Sequence, residues 1–90
     1  MQGLPVAYKP MAASGVVKDR GGEFAGFICL TAAGATITVY DHNSGASGNI
    51  VAGPITLAAG QLFEFNTPVA VARGIYIALT GAATLNVLYS

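Results

Sequence analysis

The sequence predicts an all-β fold: a small antiparallel β-sandwich, jelly-roll-like, of about seven to eight short strands behind an extended N-terminal arm. Three observations predict it. No stretch keeps an apolar 3.6-residue spacing free of Gly or Pro, so no helix is expected. Short runs alternate apolar and polar side chains, the period of a half-buried strand. Turn-forming residues recur at roughly every 8–12 positions, the spacing of a sandwich or barrel.

Residues 1–14, MQGLPVAYKPMAAS, show no usable period, and Pro5 and Pro10 fix extended geometry. They are expected as an arm, with residues 15–90 as a single domain. Leu4, Val6, Tyr8 and Met11 are apolar for a solvated tail. Two readings stay open for the arm: a solvated terminus, or a strap lying on a neighbouring subunit.

Gly15–Lys18 reads as the first short strand and Gly22–Leu30 as a central one. In the latter, Phe24, Gly26, Ile28 and Leu30 share one face and Glu23, Ala25, Phe27 and Cys29 the other, so neither face is clearly wet. Thr31–Gly34 reads as a turn. Ala35–Asp41 alternates, with Ile37 and Val39 pointing one way and Thr36, Thr38 and Tyr40 the other. The polar stretch HNSGASGN, from His42, is expected as a hairpin tip. Ile50–Leu57 contains Gly53-Pro54, which marks an edge or a bulge. Gln61–Asn66 sets Phe63 and Phe65 against Leu62 and Glu64. After a corner at Thr67-Pro68 and a short Val69–Ala72 strand, Gly74–Thr80 and Thr84–Tyr89 are expected to form a terminal hairpin around Gly81.

Two segments share a pattern. GFICLTAAGATITVY (Gly26 to Tyr40) and GIYIALTGAATLNVLY (Gly74 to Tyr89) each run from Gly through apolar residues to Leu-Thr, then return by Ala-Thr-apolar-polar-Val. They read as equivalent hairpins, with Ile37 and Val39 matching Leu85 and Val87; chance likeness between low-complexity strands is the other reading. Leu88 falls on the face of Thr84 and Asn86, opposite Leu85, Val87 and Tyr89. An apolar side chain there points to a contact outside the domain.

Composition points the same way. Hydrophobic residues make up 53% of the 90-residue chain and charged residues 9%, against about 25% charged in an average soluble domain. A small domain has much surface for its volume and needs polar cover. Four cationic and four carboxylate side chains leave a net charge of zero, which gives little colloidal protection. Burial of part of the surface against other chains would resolve the conflict; a monomer covered by Thr, Ser, Asn, Gly and Ala is the other reading. Zero net charge argues against a nucleic-acid partner. The single cysteine, Cys29, excludes an intrachain disulfide. The uncharged runs contain Gly and Thr and are β-branched, so no membrane helix is expected, and the chain is too short to close a membrane barrel alone.

Catalytic, cofactor and metal sites are not expected. Asp41-His42-Asn43 offers too few ligands for zinc or calcium and reads as a turn with Asx hydrogen bonds. Cys29 lies in an apolar strand and reads as core. Asp19, Glu23, Asp41 and Glu64 fall in no motif; Arg73 is a candidate to pair with Glu64 or Asp41 across strands. Tyr40, Tyr76 and Tyr89 are the candidates for a sugar-stacking platform, although Tyr89 shares a face with Leu85 and Val87. No small-molecule substrate is implied. The partner-contact residues singled out are Leu4, Val6, Tyr8, Met11 and Leu88.

The run FICLTAAGATITVYDHNSGASGNIVAGPITLAAGQ through ARGIYIALTGAATLNVLY resembles small β-sandwich virion proteins of tailed bacteriophages. It carries a Thr/Val strand ending in Tyr-Asp, a Ser/Gly/Ala loop, an apolar strand, a Gly turn, then Gly-Ile-Tyr and a Thr-Gly hairpin. The resemblance covers roughly residues 24–89 and brings no catalytic residues. It implies a bacteriophage structural protein of the capsid decoration or cement type, made in the bacterial cytoplasm and carried on the capsid surface. Its implied partners are the major capsid protein and copies of itself, as a homotrimer. A receptor- or glycan-binding module, or a small neck or tail component, is the alternative.

Overall fold

The computed structural model describes residues 7–90 and is all-β, with one antiparallel sheet of six strands and no helix among them. Leu4 and Val6 lie outside the described residues. The strands are β1 (Ala7–Met11), β2 (Gly15–Lys18), β3 (Gly22–Asp41), β4 (Asn49–Thr56), β5 (Leu62–Val71) and β6 (Ile75–Tyr89).

Two long strands organise the rest. β3 and β6 pair antiparallel from Phe24 opposite Tyr89 to Tyr40 opposite Tyr76. Each long strand has two partners on its outer side. β3 pairs β5 through its first half and β4 through its second. β6 pairs β2 near its start and β1 near its end. Two half-sheets result: β1, the end of β6, the start of β3 and β5 make one; β2, the start of β6, the end of β3 and β4 make the other.

The expected turn at Thr31–Gly34 and the terminal hairpin around Gly81 do not form. The chain continues through both as strand, so the seven to eight short strands become six, two of them long. A register shift between Ala33 and Thr36 marks the place where β3 and β6 lose step. There Gly34 and Gly81 take φ of 64° and 88°. A Cβ on Gly81 would lie 2.7 Å from the Gly34 carbonyl oxygen and 2.9 Å from the Ala35 Cα. The residue types that close a turn here make a bulge instead, because each strand finds its partner in the other rather than in itself.

The repeat in the sequence survives this correction as two strands rather than two hairpins. Phe27, Cys29, Ala35, Ile37 and Val39 of β3 correspond to Ile75, Ile77, Ala83, Leu85 and Val87 of β6, and all ten are buried. Gly26 and Gly74 correspond as well, with φ of 140° and 153°. The pairing pattern repeats with them, since exchanging β3 with β6 exchanges β5 with β2 and β4 with β1.

Side chains from both half-sheets contribute to one buried cluster. In β3 the alternation predicted from Gly22 to Leu30 breaks at a register shift between Phe24 and Gly26. Phe24 and Phe27 therefore both enter the core, while Ile28 and Leu30 stay exposed. Phe63 stacks on Phe27 with ring centroids 5.3 Å apart, and Phe65 meets Phe24 edge-on at 5.8 Å. Thr67-Pro68 falls in the register shift between the Phe24–Val69 and Gly26–Glu64 pairs, inside one continuous β5. Pro54 lies in β4, an edge strand with register shifts, as proline requires.

The segment expected as an arm is partly sheet. Ala7–Met11 pairs with β6 of its own chain, and Met11 is buried in that chain's core rather than free for a neighbour.

Gly81→Ala tests the bend. Positive φ and overlap with the opposed backbone should lower stability by about 2–4 kcal/mol, read as a reduced urea midpoint. An unchanged midpoint would show that the bend tolerates a side chain.

Candidate interaction surface

Tyr8 and Leu88, picked out separately in the sequence, are neighbours in the sheet. Tyr8 stands opposite Leu88, Leu88 opposite Gly26, and Gly26 opposite Glu64. Directly opposed residues share a face, so these form one row across β1, β6, β3 and β5. The next row on that face is Pro10, Asn86, Ile28 and Leu62.

This is the outward face of the first half-sheet, and it is apolar. Tyr8 is 63% exposed, Leu62 58% and Ile28 36%. A groove of about 390 Å³ crosses it, lined by Tyr8, Ala25, Ile28, Glu64, Asn86 and Leu88. Gly26, in the first row, is buried and approaches the β5 backbone closely. A Cβ there would run into the Phe63 carbonyl oxygen, so the position requires glycine. Burying an exposed Leu or Ile against a partner stabilises by about 1.5–3 kcal/mol when complete. The face can therefore bind by apolar contact, with Glu64 as the one ionisable group among the groove-lining side chains apart from the Tyr8 phenol.

Ile28 and Leu62 were not among the contact residues expected from the sequence. Ile28 sits in a strand that reads as buried on both faces, and Leu62 alternates with Glu64 in a run that gives no sign of a neighbouring apolar strand. Their adjacency comes from the β3–β5 register alone.

The other half-sheet places Val16, Tyr76, Tyr40 and Ile50 in one cross-strand row. Tyr40 and Tyr76 are therefore paired, but Tyr89 lies at the far end of β6 opposite Phe24, packed against the core. The three tyrosines do not make one platform.

The polar residues serve the scaffold. Asp41 accepts from the backbone N–H groups of Arg73 at 2.8 Å, Ala72 at 3.1 Å and Gly74 at 3.4 Å. The local turn bonds expected of the Asp41–Asn43 triplet fall instead to His42, whose Nδ1 accepts from Ser44 and Gly45, each at 3.1 Å. Arg73 makes no side-chain ion pair with Glu64 or Asp41; among the described residues the ion pair present is Arg20 with Asp19, at 3.2 Å. Cys29 is buried, and its thiol donates to the Thr31 carbonyl at 3.3 Å. Among the described residues no three His, Cys, Asp or Glu side chains cluster, and no helix is long and apolar enough to cross a membrane.

Comparison with protein-family models, characterised proteins and solved structures finds no match to this chain.

Asp41 gives a pH prediction. The Arg73 N–H, then that of Ala72, hold its carboxyl below the ordinary 3.8, and desolvation only partly opposes them. The folded value is depressed, so the stabilisation is fully present above the ordinary carboxyl range. It is lost as pH falls through the folded value. Asp41→Asn keeps the shape with one acceptor oxygen. It should lower stability at neutral pH by about 1–2 kcal/mol and flatten the acid limb of a stability–pH curve. Equal acid sensitivity in both proteins would remove this role.

Proposed function

We propose that the chain is a structural virion protein of a tailed bacteriophage, a decoration or cement protein that binds the outside of the head between capsomers. The observation that carries the proposal is the grouping of Tyr8, Ile28, Leu62 and Leu88 on one exposed sheet face. Apolar area removed from water is worth about 25 cal/mol per Å². Ordering and lost freedom offset much of this in any single contact. Repetition around a symmetric shell lets modest contacts add up. The sequence resemblance to small phage virion proteins supplies the particle; the face supplies the means of attachment.

The same reading takes the two half-sheets as the layers of a β-sandwich. The Cα extents of 32 × 28 × 17 Å leave depth for two sheets about 10 Å apart, and one cluster of buried side chains draws on both halves.

The row of Val16, Tyr76, Tyr40 and Ile50 favours a second reading, a receptor- or glycan-binding module, since paired tyrosines offer flat apolar faces to a sugar. Glycan-array binding lost in Tyr76→Ala would support it over attachment to the head.

Purified heads should contain the protein, and Leu88→Arg should weaken its affinity for bare heads at least tenfold, equivalent to about 1.4 kcal/mol. Recovery solely in the soluble fraction of an infected-cell lysate would end the virion reading.

A further inference from the structure

We propose that His42 makes the β3–β4 loop, residues 42–48, an acid-released switch, closed while its ring is neutral and freed when the ring takes up a proton. The inference stands apart from both functional readings, since it uses neither sheet face. It rests on one hydrogen-bonding arrangement. The Nδ1 of His42 accepts from the backbone N–H of Ser44 and from that of Gly45, each at 3.1 Å. An Asx turn has this form, with a side-chain oxygen as the acceptor. Histidine Nδ1 and asparagine Oδ1 both stand one bond beyond Cγ, so His42 takes the place of an Asx residue. The difference is chemical. An amide oxygen accepts at any ordinary pH, whereas imidazole nitrogen accepts only in the neutral ring.

Protonation reverses the contact. The imidazolium carries N–H at both ring nitrogens and keeps no acceptor. Its Nδ1–H would then face two other N–H groups, so the ring must turn away and both amides lose their partner. Histidine is the side chain that ordinarily changes charge between about pH 5 and 8. The closed form is therefore complete above the titration of the ring and is lost as pH falls through it.

Little else ties the tip back to β3. Among the described residues, the other hydrogen bond within the loop runs from the Ser47 N–H to the Gly45 carbonyl at 2.9 Å, inside the loop itself. Pairing with β3 resumes at Asn49, opposite Asp41, and at Ile50, opposite Tyr40. The elements packed against this corner are the end of β2 and the segment before β6. A Cβ on Gly74 would meet the carbonyl oxygens of Lys18 and His42 and the Asn43 Cα. The charged side chains there are Lys18 and Arg73, while Asp19 and Arg20 beyond β2 pair with each other. Asp41, adjacent in sequence, is engaged with the N–H groups of Ala72, Arg73 and Gly74. Among the described residues no carboxylate forms an ion pair with the ring, so none holds the cation in place.

The test follows the loop amides by NMR between pH 7.5 and 4.5, with the His42 ring resonances reporting their own titration. Asp41 is held below its ordinary 3.8, so it stays ionised over this range. In the wild type the heteronuclear NOE of the Ser44 and Gly45 amides should fall, with the midpoint of the ring. Their protection from exchange, corrected for the pH dependence of exchange itself, should drop about threefold or more. His42→Asn keeps an acceptor at the same position without the titration, and should hold both amides ordered throughout. His42→Leu should leave them mobile already at pH 7.5. A wild-type NOE that stays level while the ring titrates, a fall of equal size in His42→Asn, or a ring still neutral at pH 4.5 would overturn the proposal. Attachment to heads, or its absence, changes none of these outcomes.

Discussion

The ladder between β3 and β6 is the constraint on which the structure depends. Every other strand adds to the outer side of one of these two, and neither long strand can be shortened without removing a partner's template. The ladder also brings Phe27 beside Val87, Cys29 beside Leu85 and Val39 beside Ile77, so the pairing that satisfies the backbone builds the core as well. The bend at Gly34 and Gly81 lets the two long strands change step without ending, and their outer partners change along their length.

A chain so poor in charge must keep its exposed backbone and apolar surface from joining unwanted partners. Prolines on three edges and the shortness of the fourth limit edge-to-edge growth. What remains available is an apolar face rather than a strand edge. Side chains set its selectivity, because a face, unlike an edge, is read through size and hydrogen bonding. The low charge and the proline-bearing edges thus go together: edge-to-edge growth is limited, and the apolar surface left exposed is a face.

Much of the strand content was legible from alternation. Ala35–Asp41 and all but the first residue of Gln61–Asn66 lie within strands with Ile37, Val39, Phe63 and Phe65 turned toward the core, as their spacing implies. Connectivity was less legible. Thr31–Gly34 and the residues around Gly81 are small and conformationally permissive, and such residues serve a reversing turn or a bulge equally well; only a long-range partner decides. Asp41 misled for a related reason. Its local neighbours suggest an Asx turn, yet its acceptors are used 31 to 33 residues away. Leu88 stood out by lying on the wrong face of its strand, and Tyr8 by being aromatic in a segment without a core. Ile28 and Leu62 gave no such sign, since a surface formed by four strands exists only once the register is set.

The β3–β6 ladder has a consequence for biosynthesis. Phe24 waits for Tyr89, and Tyr40 for Tyr76, so β3 cannot be covered by its main partner until β6 has left the ribosome. A fold built on such distant pairings closes slowly, and its long central strand β3 is open to chaperones, or to other nascent copies, for that interval. Successful maturation then depends on how quickly the fifteen residues of β6 reach a strand made well before them.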